Sequence, residues 1–471
     1  MQKKVVIVGA GIAGLTAATD LINKGYLVEI YETKPYPGGK AYGFHDERGY
    51  PVEHSGRVYG KYFSLYEYMK LIPYKNASVF DNLVPIETYL MLETSTGKVF
   101  NHIPDVTARG FKGYIGLIKL MRSFGVRYWD LFFLFIESVK YRFSSRYRDY
   151  LNTISFKQAM LDGWGQRFGD FMRQFLTILI SAKPTATASS MYQELFLVMA
   201  AGLPLPKDCT ATINLLNGPT SERFIDPWIE DLKNKGVVFH FNSPVTIQGN
   251  TIYQAQDKEV IADAYLFCVS LPVAKELFPQ EVLPSVQSEQ WTNGMQFYLK
   301  ERPSFLPRDY SAGFIWNQPW RFGFFMYDNN TFWKNVVLPE GVKCVASISF
   351  NDALGNGKIF GKPITECAPE ELIAETLAQC GIDKNLVIGY VIDPALHYEQ
   401  GKWTESMSLF VVTPEDYPKL NDGKTQCKNR FLVGEFTKTF KEIPTMEKSC
   451  QAGQVGAQRV IEYLTSAYVK G

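Results

Sequence analysis

The sequence predicts an α/β fold, in which a Rossmann-like domain, a parallel sheet with helices, is joined to an α+β domain with an antiparallel sheet and a helical insertion. Three observations predict it. A strand, a glycine-rich turn, a helix and a second strand follow one another at the start of the chain. Aromatic residues alternate with a period of two over 290–350, and the stretch 111–207 favours helices. The expected boundaries are 1–60, 208–285 and 425–471 for the Rossmann-like domain, 61–110 and 286–424 for the α+β domain, and 111–207 for the insertion.

The glycine-rich turn has the spacing of a dinucleotide-binding motif. The apolar run Val5–Val8 predicts a buried parallel strand, and Gly9, Gly11 and Gly14 then stand at the glycine positions of G-x-G-x-x-G. Gly9 permits the tight turn, Gly11 lets the backbone approach a pyrophosphate, and Gly14 lets helix and strand pack closely. The motif therefore predicts a binding site for a dinucleotide.

The second strand of this unit, Leu27–Tyr31, ends on an acid. Glu32 lies 18 positions after the last glycine of the motif, where a carboxylate can accept hydrogen bonds from ribose hydroxyls, and Thr33 follows it. The intervening helix opens with Ile12 and Ala13, whose free N–H groups and partial positive charge suit phosphates. A plain βαβ turn without a nucleotide is the alternative. It is disfavoured because strand, helix and acid all stand in the required order.

A second glycine pair follows closely. Gly38, Gly39, Lys40 and Ala41 predict a loop that covers a bound dinucleotide and brings a cation to its phosphates. Enzymes that use NAD have no general need for such a loop. The sequence therefore predicts that the Rossmann-like domain is an FAD-binding domain.

The segment after this loop carries the candidate catalytic residues. Glu53, His54, Ser55, Gly56 and Arg57 follow one another after a proline that favours extended backbone. A close backbone approach at Ser55 and Gly56 would bring the segment near an isoalloxazine ring, with His54 and Arg57 close to the chemistry. Equally, these two side chains could only contact phosphate, ribityl or carboxylate groups.

Composition excludes several other classes of protein. The formal net charge of +1 implies no nucleic-acid partner. Seven scattered cysteines without a C-x-x-C pair indicate reduced thiols in a cytoplasmic setting, and no metal site is expected. The first residues already belong to a core strand, so no signal peptide is expected, and no apolar run of about 18 residues predicts a spanning helix.

The segment Tyr128–Phe143 predicts a strongly apolar helix with a basic end. We expect it to be buried against neighbouring helices. The alternative is an interfacial helix that dips into a bilayer to collect a lipid, which would make the protein peripherally membrane-associated.

The chain then returns to the Rossmann-like domain and ends with another candidate site. After a predicted strand at 430–433 come Gly434 and Glu435, and the last helix begins near Thr445 and Met446. The N-terminus of that helix is rich in free amides and partly positive, so it could face the carbonyl side of a flavin.

Together these motifs resemble the flavin amine oxidase / phytoene desaturase superfamily, within it most closely the phytoene desaturase–hydroxysqualene dehydroxylase branch. The resemblance implies that Glu32 holds the adenosine ribose and Lys40 the diphosphate region. It also implies that Val245 meets the adenine side through its backbone, that Glu435 binds the ribityl or pyrophosphate, and that the Met446 N–H meets the flavin pyrimidine edge. Glu435 stands where the family usually has Asp. The charges at 53–57 exceed what a pure isoprenoid hydrocarbon would require.

The expected function is that of an FAD-dependent oxidoreductase of the dehydrogenase or desaturase type. It would take a hydride from a largely apolar substrate, isoprenoid or lipid-like, onto flavin N5, and pass electrons to oxygen, a quinone or another carrier. Alternatives are a redox-neutral isomerase or dehydroxylase using the same flavin, an amine oxidase, and a flavin-free binding protein. The substrate pocket is expected between the insertion and the antiparallel sheet.

Overall fold

A computed structural model describes residues 2–54, 56–60, 62–86, 90–93, 98–101, 115, 118–119, 121–162, 164–180, 183–199, 214–249, 251–254, 258–285, 293–306, 311–328 and 332–466. The strands of these ranges are β1 Lys4–Val8, β2 Leu27–Tyr31, β3 Gly43–His45, β4 Pro51–Glu53, β5 Pro73–Tyr74, β6 Ala77–Ser78, β7 Leu83–Pro85, β8 Leu90–Glu93, β9 Lys98–Asn101, β10 Asn214–Leu216, β11 Val238–His240, β12 Val245–Gln248, β13 Thr251–Gln254, β14 Lys258–Glu259, β15 Ala264–Cys268, β16 Gly294–Leu299, β17 Ala312–Ile315, β18 Gly323–Asp328, β19 Cys344–Ser349, β20 Val387–Ile392, β21 Leu396–Glu399, β22 Lys402–Glu405 and β23 Arg430–Val433.

The α-helices of the same ranges are α1 Ile12–Asn23, α2 Ser64–Leu71, α3 Tyr128–Phe143, α4 Ser145–Leu151, α5 Gln166–Ile180, α6 Ala188–Met199, α7 Asp226–Asn234, α8 Leu271–Leu277, α9 Pro369–Cys380 and α10 Met446–Ser466. Single π-helical turns precede α5 and α7, at Lys157–Leu161 and Ser221–Ile225.

Five parallel strands form the first sheet, in the order β11-β2-β1-β15-β23. Its strands are apolar and β-branched because both faces are covered, and Val5, Val6 and Ile7 of β1 have no exposed surface. One face packs against α1, α7 and α10. The other packs against α8 and the small sheet β12-β13-β14. This is the predicted Rossmann-like arrangement of a parallel sheet with helices.

A second sheet has seven strands in the order β20-β16-β19-β18-β17-β8-β9. Its pairs are antiparallel except for β17 and β8, which are parallel. The aromatic period-2 pattern correctly predicted strands in 290–350. It did not predict the parallel pair, because β8 comes from a distant part of the chain. The predicted fold class, α/β with an additional α+β portion, is confirmed.

The helices α3 to α6 form the predicted helical insertion, with the break at Trp164 before α5 as expected. The helix expected around 114–121 and the segment 200–206 lie largely or wholly outside the described residues. Within the described part of the chain, no helix is long and apolar enough to cross a bilayer.

The burial expected for Tyr128–Phe143 is not found. The helix α3 has the predicted bounds, but among the described residues only one of its sides is buried. Seven large apolar side chains are exposed on it: Tyr128, Trp129, Phe132, Phe133, Phe135, Val139 and Phe143. With 3.6 residues per turn, these seven fall within an arc of about 160°, opposite the buried residues. Helical periodicity shows that a face is apolar but not what covers it.

Candidate dinucleotide site

The glycine turn lies where β1 enters α1, at the carboxyl edge of the parallel sheet. Gly9 has a positive φ of 104°, and a Cβ there would lie 2.3 Å from the carbonyl oxygen of Cys268. A Cβ on Gly14 would lie 1.9 Å from the carbonyl oxygen of Gly9. Gly11 precedes α1 in extended conformation, so the first turn, with Ile12 and Ala13, opens without a side chain in front of it. These contacts explain why glycine is needed at Gly9 and Gly14. The extended Gly11 leaves the N-terminus of α1 accessible to a phosphate.

Glu32 lies directly against this turn. Its Oε2 accepts a hydrogen bond from the Ala10 N–H at 2.8 Å, and its Oε1 accepts one from the Lys34 N–H at 2.9 Å. The Glu32 carbonyl accepts from the Ser243 N–H, two residues before Val245 begins β12. The structure therefore brings Glu32 and the segment leading to Val245 together. Thr33, next to Glu32, is exposed.

The second glycine loop packs on the first. The Gly38 N–H donates to the carbonyl of Ala10 at 2.9 Å, and Gly38 and Gly39 both have positive φ. A Cβ on Gly39 would lie 3.1 Å from the Cα of Gly11, so the two backbones meet closely. Ala41 closes the loop by donating its N–H to the Gly38 carbonyl. The predicted cover over a dinucleotide is thus adjacent to the predicted turn.

Lys40 of this loop reaches the end of β23. Its Nζ lies 2.7 Å from Glu435 Oε2 and 2.6 Å from the carbonyl oxygen of Ser408. Gly434 precedes Glu435, and a Cβ on Gly434 would lie 2.4 Å from the carbonyl oxygen of Val269. The resemblance implied separate contacts of Lys40 and Glu435 with the cofactor. In the structure the two side chains pair with each other.

Arg57 is held by a closed set of partners. Its guanidinium donates to Glu53 Oε2 at 2.9 Å, to Thr220 Oγ1 at 3.1 Å, and to the carbonyls of Lys40 and Tyr42 at 2.9 and 3.2 Å. Burial raises the pKa of Glu53, and the charge of Arg57 opposes that rise. Arg57 therefore ties the segment 53–57 to the second glycine loop.

His54 belongs to a buried polar cluster. Its Nδ1 lies 2.8 Å from Asp393 Oδ2, and Asp393 also accepts from the Tyr42 hydroxyl at 3.0 Å and from Asn293 Nδ2 at 3.1 Å. Burial and the charge of Asp393 raise the pKa of Tyr42 well above its usual range. Gly56 lies against the ring of Phe325, which a Cβ would overlap. Ser55 lies outside the described residues.

Several buried polar atoms have no hydrogen-bond partner within the described residues. They lie on side chains that converge between the second glycine loop, β22 and α10: Glu405 Oε1 and Oε2, Glu435 Oε1, Glu442 Oε2, Lys448 Nζ and His54 Nε2. Leaving such an atom buried and unsatisfied costs about 1–3 kcal/mol. A ligand with hydroxyl, carbonyl and phosphate groups would supply the missing partners.

The pKa values of three of these groups are shifted by the same cause. Burial raises the pKa of Glu405 to about 8, although Lys40 lowers it. Burial raises the pKa of Glu442 to about 7 and lowers the pKa of Lys448 to about 8, while their mutual attraction acts in the opposite direction. Shifts of this kind cluster at functional sites. These residues fit a polar, partly anionic cofactor that passes from the glycine turn to α10.

The N-terminus of α10 completes this edge of the site. Met446 is its first residue, and the Thr445 hydroxyl accepts from the Lys448 N–H at 3.2 Å. The next side chain, Glu447, accepts from the N–H groups of Ser64 and Leu65, both at 2.9 Å, and so caps α2. Glu447, Asp393 and Glu405 were not predicted as site residues. Asp393 and Glu447 contact residues that lie far away along the chain, and the Glu405 carboxylate has no hydrogen-bond partner within the described residues, so neighbouring sequence does not show their roles.

Comparisons with known proteins agree with this geometry. Residues 7–70 match the family model for NAD(P)-binding Rossmann-like domains. The chain is 40% identical over 70 residues to the chloroplastic/chromoplastic zeta-carotene desaturase of Zea mays, 37% over 70 residues to the zeta-carotene desaturase of Synechocystis sp., and 54% over 39 residues to the 1-hydroxycarotenoid 3,4-desaturase of Flavobacterium sp.. These matches cover 15%, 15% and 8% of this chain and 12%, 14% and 8% of the relatives. The chain thus spans less than a fifth of the length of these relatives.

The likeness to solved structures extends over the whole chain. A putrescine oxidase bound to putrescine matches with a TM-score of 0.62 at 16% identity, covering 98% of this chain and 99% of that one. An oxidoreductase from Methanosarcina mazei matches with a TM-score of 0.61 at 15% identity, covering 98% and 100%. The chain therefore shares the overall fold of these two solved structures. The family match adds that residues 7–70 resemble a dinucleotide-binding Rossmann-like domain.

Proposed function

We propose that this protein is an FAD-dependent oxidoreductase of the dehydrogenase or desaturase type. The observation that carries the proposal is the group of buried, unsatisfied polar atoms between the glycine turn and α10. When bound, FAD supplies an acceptor for a hydride at N5. The desaturase relatives support a largely apolar substrate, isoprenoid or lipid-like.

Different residues of the chain would bind different parts of FAD. The N–H groups at Ile12 and Ala13 would bind the pyrophosphate, Glu32 the adenosine ribose, and the backbone near Val245 the adenine side. We propose that FAD separates the Lys40–Glu435 pair, which then binds the diphosphate and ribityl groups as the resemblance implies. The positive end of α10, at Thr445 and Met446, would face the pyrimidine edge. Among these groups, Glu435 Oε1 has no hydrogen-bond partner within the described residues and would gain one from the cofactor.

We assign different roles to His54 and Arg57. Asp393 would orient His54 through Nδ1, so that Nε2 is directed to a substrate or to the reduced cofactor. Arg57 has both terminal nitrogens committed to Glu53, Thr220 and two carbonyls, so we propose that it positions the segment rather than touching substrate.

The region beside Gly56 supports an apolar substrate. Phe325 lies over Gly56, and Tyr327 stacks on Trp333 with 4.5 Å between ring centroids. These residues belong to the apolar core shared by the insertion and the seven-stranded sheet. The neighbouring His54 and Asp393 favour a substrate that also carries a polar group, and this supports the dehydroxylase as a second candidate.

We also propose that the protein binds membranes peripherally through α3. Its exposed apolar arc has the form of an interfacial helix, and Arg122 lies 4.1 Å from the ring centroid of Tyr128 at its start. Arg142 and Arg146 stand at its other end, where cations can meet anionic head groups. An apolar substrate dissolved in the bilayer would then be collected at this surface.

The first experiment compares absorption spectra and FAD titrations of the purified protein and of Gly11→Ala. A Cβ on Gly11 would lie 3.7 Å from the nearest protein atom, an ordinary contact, so this variant should fold while its methyl group obstructs the pyrophosphate. Gly169→Ala, on α5, is the matched control, since its Cβ would also make only ordinary contacts. We expect flavin bands near about 450 nm in the parent and control. Gly11→Ala should bind FAD at least about tenfold more weakly.

Anaerobic addition of substrates separates the remaining alternatives. Bleaching by an isoprenoid or another lipid supports the dehydrogenase, and bleaching by an amine supports an amine oxidase. Turnover without net bleaching supports the isomerase or dehydroxylase. A parent protein that binds no FAD would refute the proposal.

A further inference from the structure

A cavity of about 560 Å³ lies between α5 and the turn 316–321, and none of its lining residues belongs to the candidate dinucleotide site. Four cationic side chains line it, Arg167, Arg173, Arg321 and Lys358, against the single carboxylate of Asp170. The whole chain carries a net charge of only +1, so this is a local concentration of positive charge. Nothing in the proposed redox chemistry uses these residues.

The positive charge of the cavity is incompletely balanced by the protein. Arg321 is fixed in place, since its guanidinium donates to Thr177 Oγ1 at 3.3 Å and its Nε lies 3.4 Å from Asp352 Oδ2. Burial, and to a lesser degree the charge of Arg173, lower the pKa of Arg321, although Asp352 and Asp170 oppose this. Within the described part of the chain, Arg167 and Arg173 form no ion pair. An anion placed between the arginines would therefore be attracted with little competition.

The walls of the cavity are preorganised. Asn317 and Arg321 have positive φ values of 57° and 52°, which side-chain-bearing residues rarely adopt. Gln174 and Asn317 exchange hydrogen bonds of 3.1 and 3.3 Å across the mouth. Beneath them Trp316 stands 5.8 Å, centroid to centroid, from Phe171 and is almost fully buried. These contacts fix the turn 316–321, which carries Arg321, against α5.

We propose that this cavity binds the phosphate group of an anionic, amphipathic ligand. Arginine guanidinium groups bind phosphate oxygens through paired, charge-assisted hydrogen bonds. The volume falls in the range of small-molecule pockets, about 300–1,000 Å³, and so leaves room for an organic part beside the phosphate. Phe124, Phe171 and Trp316 also line the cavity and provide apolar surface for that organic part. This inference is independent of the proposed redox function.

The test measures binding of two probes by calorimetry and vesicle sedimentation. One probe is inorganic phosphate, and the other is phosphatidylcholine vesicles with and without phosphatidylglycerol. The protein is saturated with FAD so that phosphate cannot occupy the glycine turn. The variant is Arg167→Gln with Arg173→Gln, and the control removes two exposed cations elsewhere, Lys384→Gln with Lys428→Gln.

We expect the arginine variant to bind at least one probe about tenfold or more weakly than the parent, with the control unchanged. If the arginine variant binds inorganic phosphate more weakly than the parent, free phosphate is sufficient as a ligand. A loss confined to vesicles with phosphatidylglycerol identifies a lipid head group as the source. If the parent binds neither probe, or if the arginine variant binds both as the parent does, the proposal is wrong. Both variants remove the same charge, so an unspecific electrostatic effect would appear equally in each.

Discussion

Replacing Phe132 and Phe133 of α3 by serine should weaken membrane binding strongly. The two side chains are 52% and 51% exposed. A fully buried aromatic side chain contributes about 150–250 Å², so about 100 Å² of each ring is available for transfer into the bilayer. At about 25 cal/mol per Å², the pair is worth about 5 kcal/mol if fully inserted. An interfacial helix buries only part of its apolar face, so we expect about 2–3 kcal/mol, or a loss of roughly 30- to 150-fold in binding.

Sedimentation with vesicles that contain anionic lipid measures this effect. The control replaces two apolar side chains that are at least as exposed but lie elsewhere, Ile261→Ser with Val282→Ser, which are 68% and 77% exposed. Membrane binding that is equal in the parent, the variant and the control would refute the assignment of α3. So would a parent that does not bind vesicles. Gel filtration of the same proteins tests whether α3 instead joins two copies, since loss of a dimer with unchanged vesicle binding contradicts the membrane proposal.

Two further predictions concern stability. Because the pKa of Glu405 is raised from 4.5 to about 8, its proton stabilises the fold fully below about pH 4.5, and this contribution is lost as the pH rises to about 8. Between about pH 5 and pH 8, without dinucleotide, the free energy of unfolding in urea should fall by up to a few kcal/mol more in the parent than in Glu405→Gln, and parallel curves would contradict this. Glu375 is fully buried and accepts from the N–H groups of Lys358, Ile359 and Phe360. Glu375→Ala should therefore cost about 3 kcal/mol or more in the same assay, and a loss below about 1 kcal/mol would show that the loop finds other partners.

The parts of the fold that depend on residues close together in the sequence could be predicted. The strand, glycine turn, helix and acid at 4–32 follow one another in the sequence, and β1 pairs with β2 while Glu32 accepts from Ala10, so their spacing predicted the turn. The long helices were likewise predicted from a period of 3.6. The aromatic strands were predicted from a period of 2, although the structure buries both of their faces. Position along the chain was therefore enough to place Glu32 and the second glycine loop at one site.

What the sequence did not reveal depends on contacts between distant segments. Asp393 contacts His54, and Glu447 caps α2, across most of the chain, so the sequence around either carboxylate does not show its partner. The parallel pairing of β17 with β8 has the same origin. For α3 the apolar pattern was correctly identified, but a pattern does not state whether protein or solvent lies against it. Tertiary packing, rather than propensity, decided each of these points.

The strand order of the parallel sheet has a consequence for how the protein folds during synthesis. The strand β15 is flanked by β1, at the start of the chain, and by β23, which begins only at Arg430 and is therefore synthesised after almost all of the chain. Until β23 and α10 emerge from the ribosome, one edge of β15 presents unpaired backbone groups, and the surface that α10 covers is exposed. The Rossmann-like domain is therefore completed last, after the residues of the helical insertion and of the seven-stranded sheet have been synthesised. A chain interrupted before β23 should be prone to aggregation and should depend on chaperones.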